Sequence, residues 1–87
     1  MLEEFEDYLL EQGYSAYTRK GNPSTVYDYI KRIQKICIRE DISENSLAAN
    51  ISNYVEKYVP KGVESEFGKK SHGAYIAALK KFKEFLN

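Results

Sequence analysis

Three observations predict an all-α chain, a compact four-helix bundle. Apolar residues recur three and four apart along most of the sequence, the spacing of a helix with one buried face. No stretch alternates apolar and polar residues between hairpin turns. Helix start and stop residues divide the chain into four periodic stretches joined by turn-rich connections.

The first helix is expected over about Leu2 to Gln12. Leu2, Phe5, Tyr8 and Leu9 fall on one face, acids occupy the other, and Gly13 supplies a C-terminal stop. Gly13 to Asn22, GYSAYTRKGN, reads as a connection carrying Arg19 and Lys20. Pro23 and Ser24 then open the second helix, which runs to about Glu40, because proline suits a first turn and serine is a preferred cap. Its stripe is Val26, Ile30, Ile33 and Cys37, flanked by Tyr29 and Ile36. Lys31, Lys35 and Arg39 lie four apart on another face with Arg32 beside them. Like charges at that spacing disfavour the helix slightly, so a role other than helix stability is expected of them.

Ser43 to Ser46 starts a third helix with Leu47, Ile51, Tyr54, Val55 and Tyr58 inward, and Pro60 forbids its continuation. PKGVESEFGKK reads as a loop of about ten residues. Ser71 is expected to cap the fourth helix, whose buried face holds Tyr75, Ala78, Leu79, Phe82, Phe85 and Leu86. Lys80, Lys81 and Lys83 fall outside that face.

Composition narrows the function. The 87 residues suit a single domain spanning 1–87 with one modest core. One cysteine, Cys37, and one histidine, His72, leave no disulfide framework, no zinc module and no metal pair, so no cofactor is expected. No nucleophile, base and orienting residue form a motif, so the chain reads as non-enzymatic. The acidic start MLEEFEDYLLEQG is unlike a signal peptide, and no apolar run reaches the roughly 18 residues of a membrane span. A reducing, cytoplasmic setting and no membrane partner are expected.

Thirteen bases balance thirteen acids, yet they are not mixed along the chain. Residues 1–11 hold five acids and no base, and residues 12–39 hold six bases against Asp28. Residues 40–66 hold six acids against Lys57 and Lys61, and residues 67–87 hold five bases against Glu84. If the second and fourth segments share one side, a neutral protein acquires a cationic face. Arg19, Lys20, Ser24 and Thr25 gather at the start of the second helix, and Lys69, Lys70, Ser71 and His72 at the start of the fourth. Helix starts offer free backbone N–H groups to which hydroxyls and cations can be added as phosphate ligands, so two such starts side by side would clamp a phosphate backbone.

The residues Thr25-Val26-Tyr27-Asp28-Tyr29, with Ile33 following, resemble the opening of the second helix in the N-terminal core-binding, SAM-like domain of tyrosine recombinases and phage integrases. Ile76-Ala77-Ala78-Leu79-Lys80-Lys81-Phe82-Lys83-Glu84-Phe85-Leu86 resembles that domain's last helix, and Phe5, Tyr8 and Leu9 its first. The resemblance implies a four-helix module that covers one face of double-stranded DNA while a separate, C-terminal catalytic domain closes on the other. It implies that the second and fourth helices approach the major groove and its flanking phosphates, with Thr25 as the helix-start threonine and Lys80 where the pattern has arginine. A lysine there favours phosphate contact over base reading. The family's catalytic residues have no counterpart in this sequence, so the expectation is a non-catalytic, monomeric module, either part of a longer recombinase or a stand-alone relative. A helical protein-interaction domain is the alternative, favoured by the zero net charge. A helix-turn-helix repressor fits less well, because the connections lack its short turn.

Overall fold

The computed structural model describes residues 1–15, 17, 19–21 and 25–87, with Ser71 and His72 described in their backbone alone. The expected cap Ser24, with Asn22 and Pro23, lies outside the described residues. Among the described residues the fold is all-α, with six helices where four were expected: α1 Leu2–Glu11, α2 Thr25–Glu40, α3 Glu44–Ala49, α4 Ile51–Tyr58, α5 Ser65–Gly68 and α6 Lys70–Leu86. The Cα radius of gyration, 12.7 Å, is close to the ~12 Å of a compact chain of this length. None of the described helices is long and apolar enough to cross a membrane.

α1 ends where Gly13 was expected to stop it. Gly13 has φ +95° and donates its N–H to Leu10 O, while Tyr14 N–H reaches back to Leu9 O. That pair satisfies two carbonyls of the last turn. α2 closes in the same way without a glycine: Asp41 adopts φ +55°, its N–H meets Ile38 O, and Ile42 N–H meets Cys37 O. A short polar side chain tolerates that conformation better than most.

The single third helix expected before Pro60 is instead two. Ser43 caps α3 as its sequence implied, accepting the Ser46 N–H at 3.1 Å. Asn50, at φ −122° and ψ 28°, then interrupts the helix, and its amide Nδ2 donates to Ser46 O. α4 starts at Ile51 and stops at Val59, which takes extended backbone before Pro60.

The expected ten-residue loop contains α5. Phe67 from this turn packs its ring on Tyr58 and Tyr75, and Gly68 is buried against the end of α4, where an added Cβ would overlap the Tyr58 carbonyl oxygen. Ser71 is not a cap. α6 begins at Lys70 with Lys69 before it in helical conformation and no side-chain cap, and Gly73 adopts φ +77° within its first turns.

The core joins all the long helices. Phe5 and Leu9 of α1, Ile33 and Ile36 of α2, Leu47 of α3, Tyr58 of α4 and Leu79 and Phe82 of α6 are fully buried. Phe5 meets Phe82 edge-on at 5.1 Å and Phe85 at 5.3 Å. Lys81, expected to point away from the buried face, is instead folded against the protein: its ammonium lies 5.4 Å from the Tyr14 ring and bonds Glu84 at 2.8 Å.

Tyr58 brings a hydroxyl into this core, and Glu40 meets it. The Tyr58 hydroxyl donates to Glu40 Oε2 at 2.5 Å and Lys57 Nζ donates to Oε1 at 2.6 Å, tying the end of α2 to α4. Beside them Arg39 donates to Glu64 at 2.6 Å, which fastens the connection before α5 to α2.

Candidate nucleic-acid interface

α2 and α6 run antiparallel. Arg39 near the end of α2 faces Phe67 just before α6, Arg32 faces Tyr75, and Thr25, Asp28 and Tyr29 at the start of α2 share a hollow with Ala74 and Ala77. The start of α6 therefore lies beside the second half of α2. Thr25 at the start of α2 borders Ala74 and Ala77, one and two turns past the start of α6. The described residues bring another set of cations together.

That grouping is a row of cations over two rings. Phe67 and Tyr75 are in contact at 4.5 Å between centroids. Arg39 stands 4.1 Å and Lys70 5.3 Å from the Phe67 ring, and Arg32 stands 5.9 Å from the Tyr75 ring. Lys31 and Lys35, both exposed, continue the row one turn apart along α2, and with Tyr27, Asp28, Arg32 and Tyr75 they line an open hollow of about 320 Å³. Lys31 also lies 5.7 Å from the Tyr27 ring. Ring faces attract cations and hold long side chains in place.

The charges differ in how far they are already matched. Arg39 is held above its ordinary value chiefly by the hydrogen bond to Glu64, so its charge is largely answered within the protein. Arg32 has a looser acid at hand, Asp28 Oδ1 at 3.9 Å, and donates through Nη1 to the Asp28 carbonyl at 3.2 Å. Lys69 has an exposed neighbour, Glu66, at 3.5 Å.

The other expected site residues fall elsewhere. Thr25 is the exposed first residue of α2, at the edge of the hollow of about 210 Å³ shared with Asp28, Tyr29, Arg32, Ala74 and Ala77. Arg19 and Lys20 are exposed in the connection before α2. Lys80 is exposed on α6 about 15 Å beyond Lys70, ten residues further along the helix. Ser24 and the side chains of Ser71 and His72 lie outside the described residues. Sequence reasoning left Arg32, Arg39, Phe67 and Tyr75 out of the site. The arginines were visible within the basic run of α2 and Tyr75 on the periodic face of α6, but Phe67, which brings Arg39 and Lys70 to them, comes from a turn with no periodic signal.

Cys37 gives no sign of reactivity, since burial pushes its thiol up. It lies at the floor of a wide, open hollow of about 600 Å³ at the far end of α2, bordered by Met1, Ile38 and Ile42. No group of three metal-ligating side chains occurs among the described residues. Comparisons with protein-family models, curated proteins and solved structures find no match to this chain.

Proposed function

We propose that the chain is a DNA-binding module of the core-binding, SAM-like type found in tyrosine recombinases, without catalytic activity of its own. The reading rests on one observation: Lys31, Lys35, Arg32 and Lys70 share a face, laid over the Phe67–Tyr75 pair and Tyr27. Lysines in a row on an exposed helix flank suit the regularly spaced phosphates of a duplex and carry no base-reading geometry, so the contact is mainly with the backbone. In this reading α2 and the start of α6 lie along the duplex, and Lys80, Arg19 and Lys20 reach its margins. The experiment is a titration of the labelled protein with a short mixed-sequence duplex at two salt concentrations. Binding is expected to centre on Lys31, Lys35 and Lys70 and to weaken steeply with salt, by close to one logarithmic unit of affinity per unit of log salt for each phosphate neutralised. Lys31→Ala with Lys35→Ala is expected to weaken all sequences alike and to flatten the salt dependence by about two such units. Loss confined to one sequence, or no binding at low salt, would refute it.

A second reading has its own observation. Ile38 is 76% exposed and Met1 40%, and both border the hollow of about 600 Å³. An exposed isoleucine beside an open groove suits a partner protein's apolar side chain. Under that reading, Ile38→Ser abolishes association while leaving DNA titrations unchanged.

A further inference from the structure

Arg32 is the most unusual cation of the face. Its Nη1 is committed to the Asp28 carbonyl, and its Nε–H is shielded from solvent and meets no acceptor among the described residues. A buried donor without an acceptor is a desolvated group with nothing in return, a condition proteins rarely keep without cause. The side chain also forms the wall between two hollows, of about 210 Å³ and 320 Å³, and both are bordered by Asp28. Across the smaller one stand Ala74 and Ala77, whose methyl groups leave room for a ligand the size of a phosphate.

With Nη1 engaged, the edge of the guanidinium left over is Nε and Nη2. That edge presents two parallel N–H donors, the arrangement that meets two oxygens of one phosphate. The guanidinium carbon lies 5.9 Å from the centre of the Tyr75 ring, and the Nε–H, shielded in the free protein, meets a ligand when the side chain turns toward the hollow. Asp28 Oδ1, at 3.9 Å, is close enough to balance the charge in the free protein and too far for a strong hydrogen bond.

We propose that Arg32 grips a single backbone phosphate through its Nε–Nη2 edge, and that Asp28 is the internal counter-ion this phosphate displaces. The proposal builds on the DNA-binding reading and adds which cation is the specific ligand and which acid opposes it. Lys31 and Lys35 supply diffuse attraction, whereas Arg32 supplies a fixed two-point contact.

The test combines affinity for a short duplex with the NMR signal of the Arg32 Nε–H. Arg32→Lys keeps the charge and loses the fork, and it is expected to weaken duplex binding about tenfold, nearly as much as Arg32→Ala, as for the loss of a charged hydrogen bond. Asp28→Asn is expected to tighten binding about threefold, the scale of an exposed ion pair. Glu56→Gln removes an equal charge from the exposed side of α4 and serves as the control. Inorganic phosphate alone is expected to shift the Nε–H signal. Wild-type affinity in Arg32→Lys, or an Nε–H signal unmoved by both phosphate and duplex, overturns the role of Arg32. Equal effects of Asp28→Asn and Glu56→Gln overturn the role of Asp28. A shift with phosphate in a protein that does not bind duplex keeps the Arg32 site and removes the DNA reading instead.

Discussion

Glu40 shows how one side chain secures the end of a helix. Its carboxylate is mostly buried, and burial alone raises its pKa, but the hydrogen bonds from Lys57 and Tyr58 outweigh that and hold it below the ordinary value of 4.5. Tyr58 shows the reciprocal effect: burial and the bond to Glu40 push its phenol well above the usual range, so it stays a donor at every working pH. A carboxyl whose folded value is lowered contributes stability that is fully present above its unfolded value and is lost as pH falls through the folded one. Glu40→Gln is therefore expected to lower the melting temperature at neutral pH, by an amount matching about 1–3 kcal/mol for a broken part-buried pair. It is also expected to flatten the drop in stability below about pH 4.5. Thermal melts from pH 7 to pH 3 check both, and an unchanged acid limb in the variant would remove Glu40 from this role.

At the scale of elements, α5 decides how the second half of the chain is arranged. Gly68 sits where any Cβ would strike the end of α4, whereas Gly13, with φ +95°, has open space around it. Gly68→Ala is expected to cost about 2–3 kcal/mol, the upper part of the range for overpacking, because a backbone carbonyl cannot turn aside. Gly13→Ala is expected to cost about 1 kcal/mol, from backbone strain alone. Chemical denaturation of the two variants checks the order. Gly68→Ala is also expected to weaken duplex binding, since Phe67 beside it carries Arg39 and Lys70.

The long helices were legible because burial repeats along them. Phe5 and Leu9, or Ile33 and Cys37, fall on one side whatever they pack against, so periodicity finds them without knowing the partner. The break at Asn50 escaped for the same reason. Leu47 before it and Ile51 after it both face the core, and the four-residue spacing looks unbroken from the sequence. α5 is one turn long, too short to repeat anything, and its single large apolar residue, Phe67, was the available hint. The site was legible as a set of cations, but which of them gather depended on the direction in which α6 crosses α2. Spacing within each helix says nothing about that direction.

For the molecule as a whole, stability rests on one shared core. A chain of 87 residues is expected to have a total stability of roughly 4–13 kcal/mol. Phe82 is fully buried and meets Phe5 and Phe85, so Phe82→Ala is expected to remove about 3–5 kcal/mol of this. Urea unfolding should then show an earlier midpoint at an unchanged slope. A variant as stable as the parent would mean that α1 and α6 are not held together through this contact.

The arrangement of α1 has a consequence of its own. Its five acids are exposed, and the helix borders α2 on the side of Val26 and Ile30, while Lys31 and Lys35 leave α2 on the side of Tyr75. Acids gathered on one side of α2 and lysines on another give an electrically neutral body a permanent dipole. Such a body feels little net pull from a distant polyanion but a torque as it nears one. It turns its cations inward before contact and presents its acids to any second molecule arriving from behind.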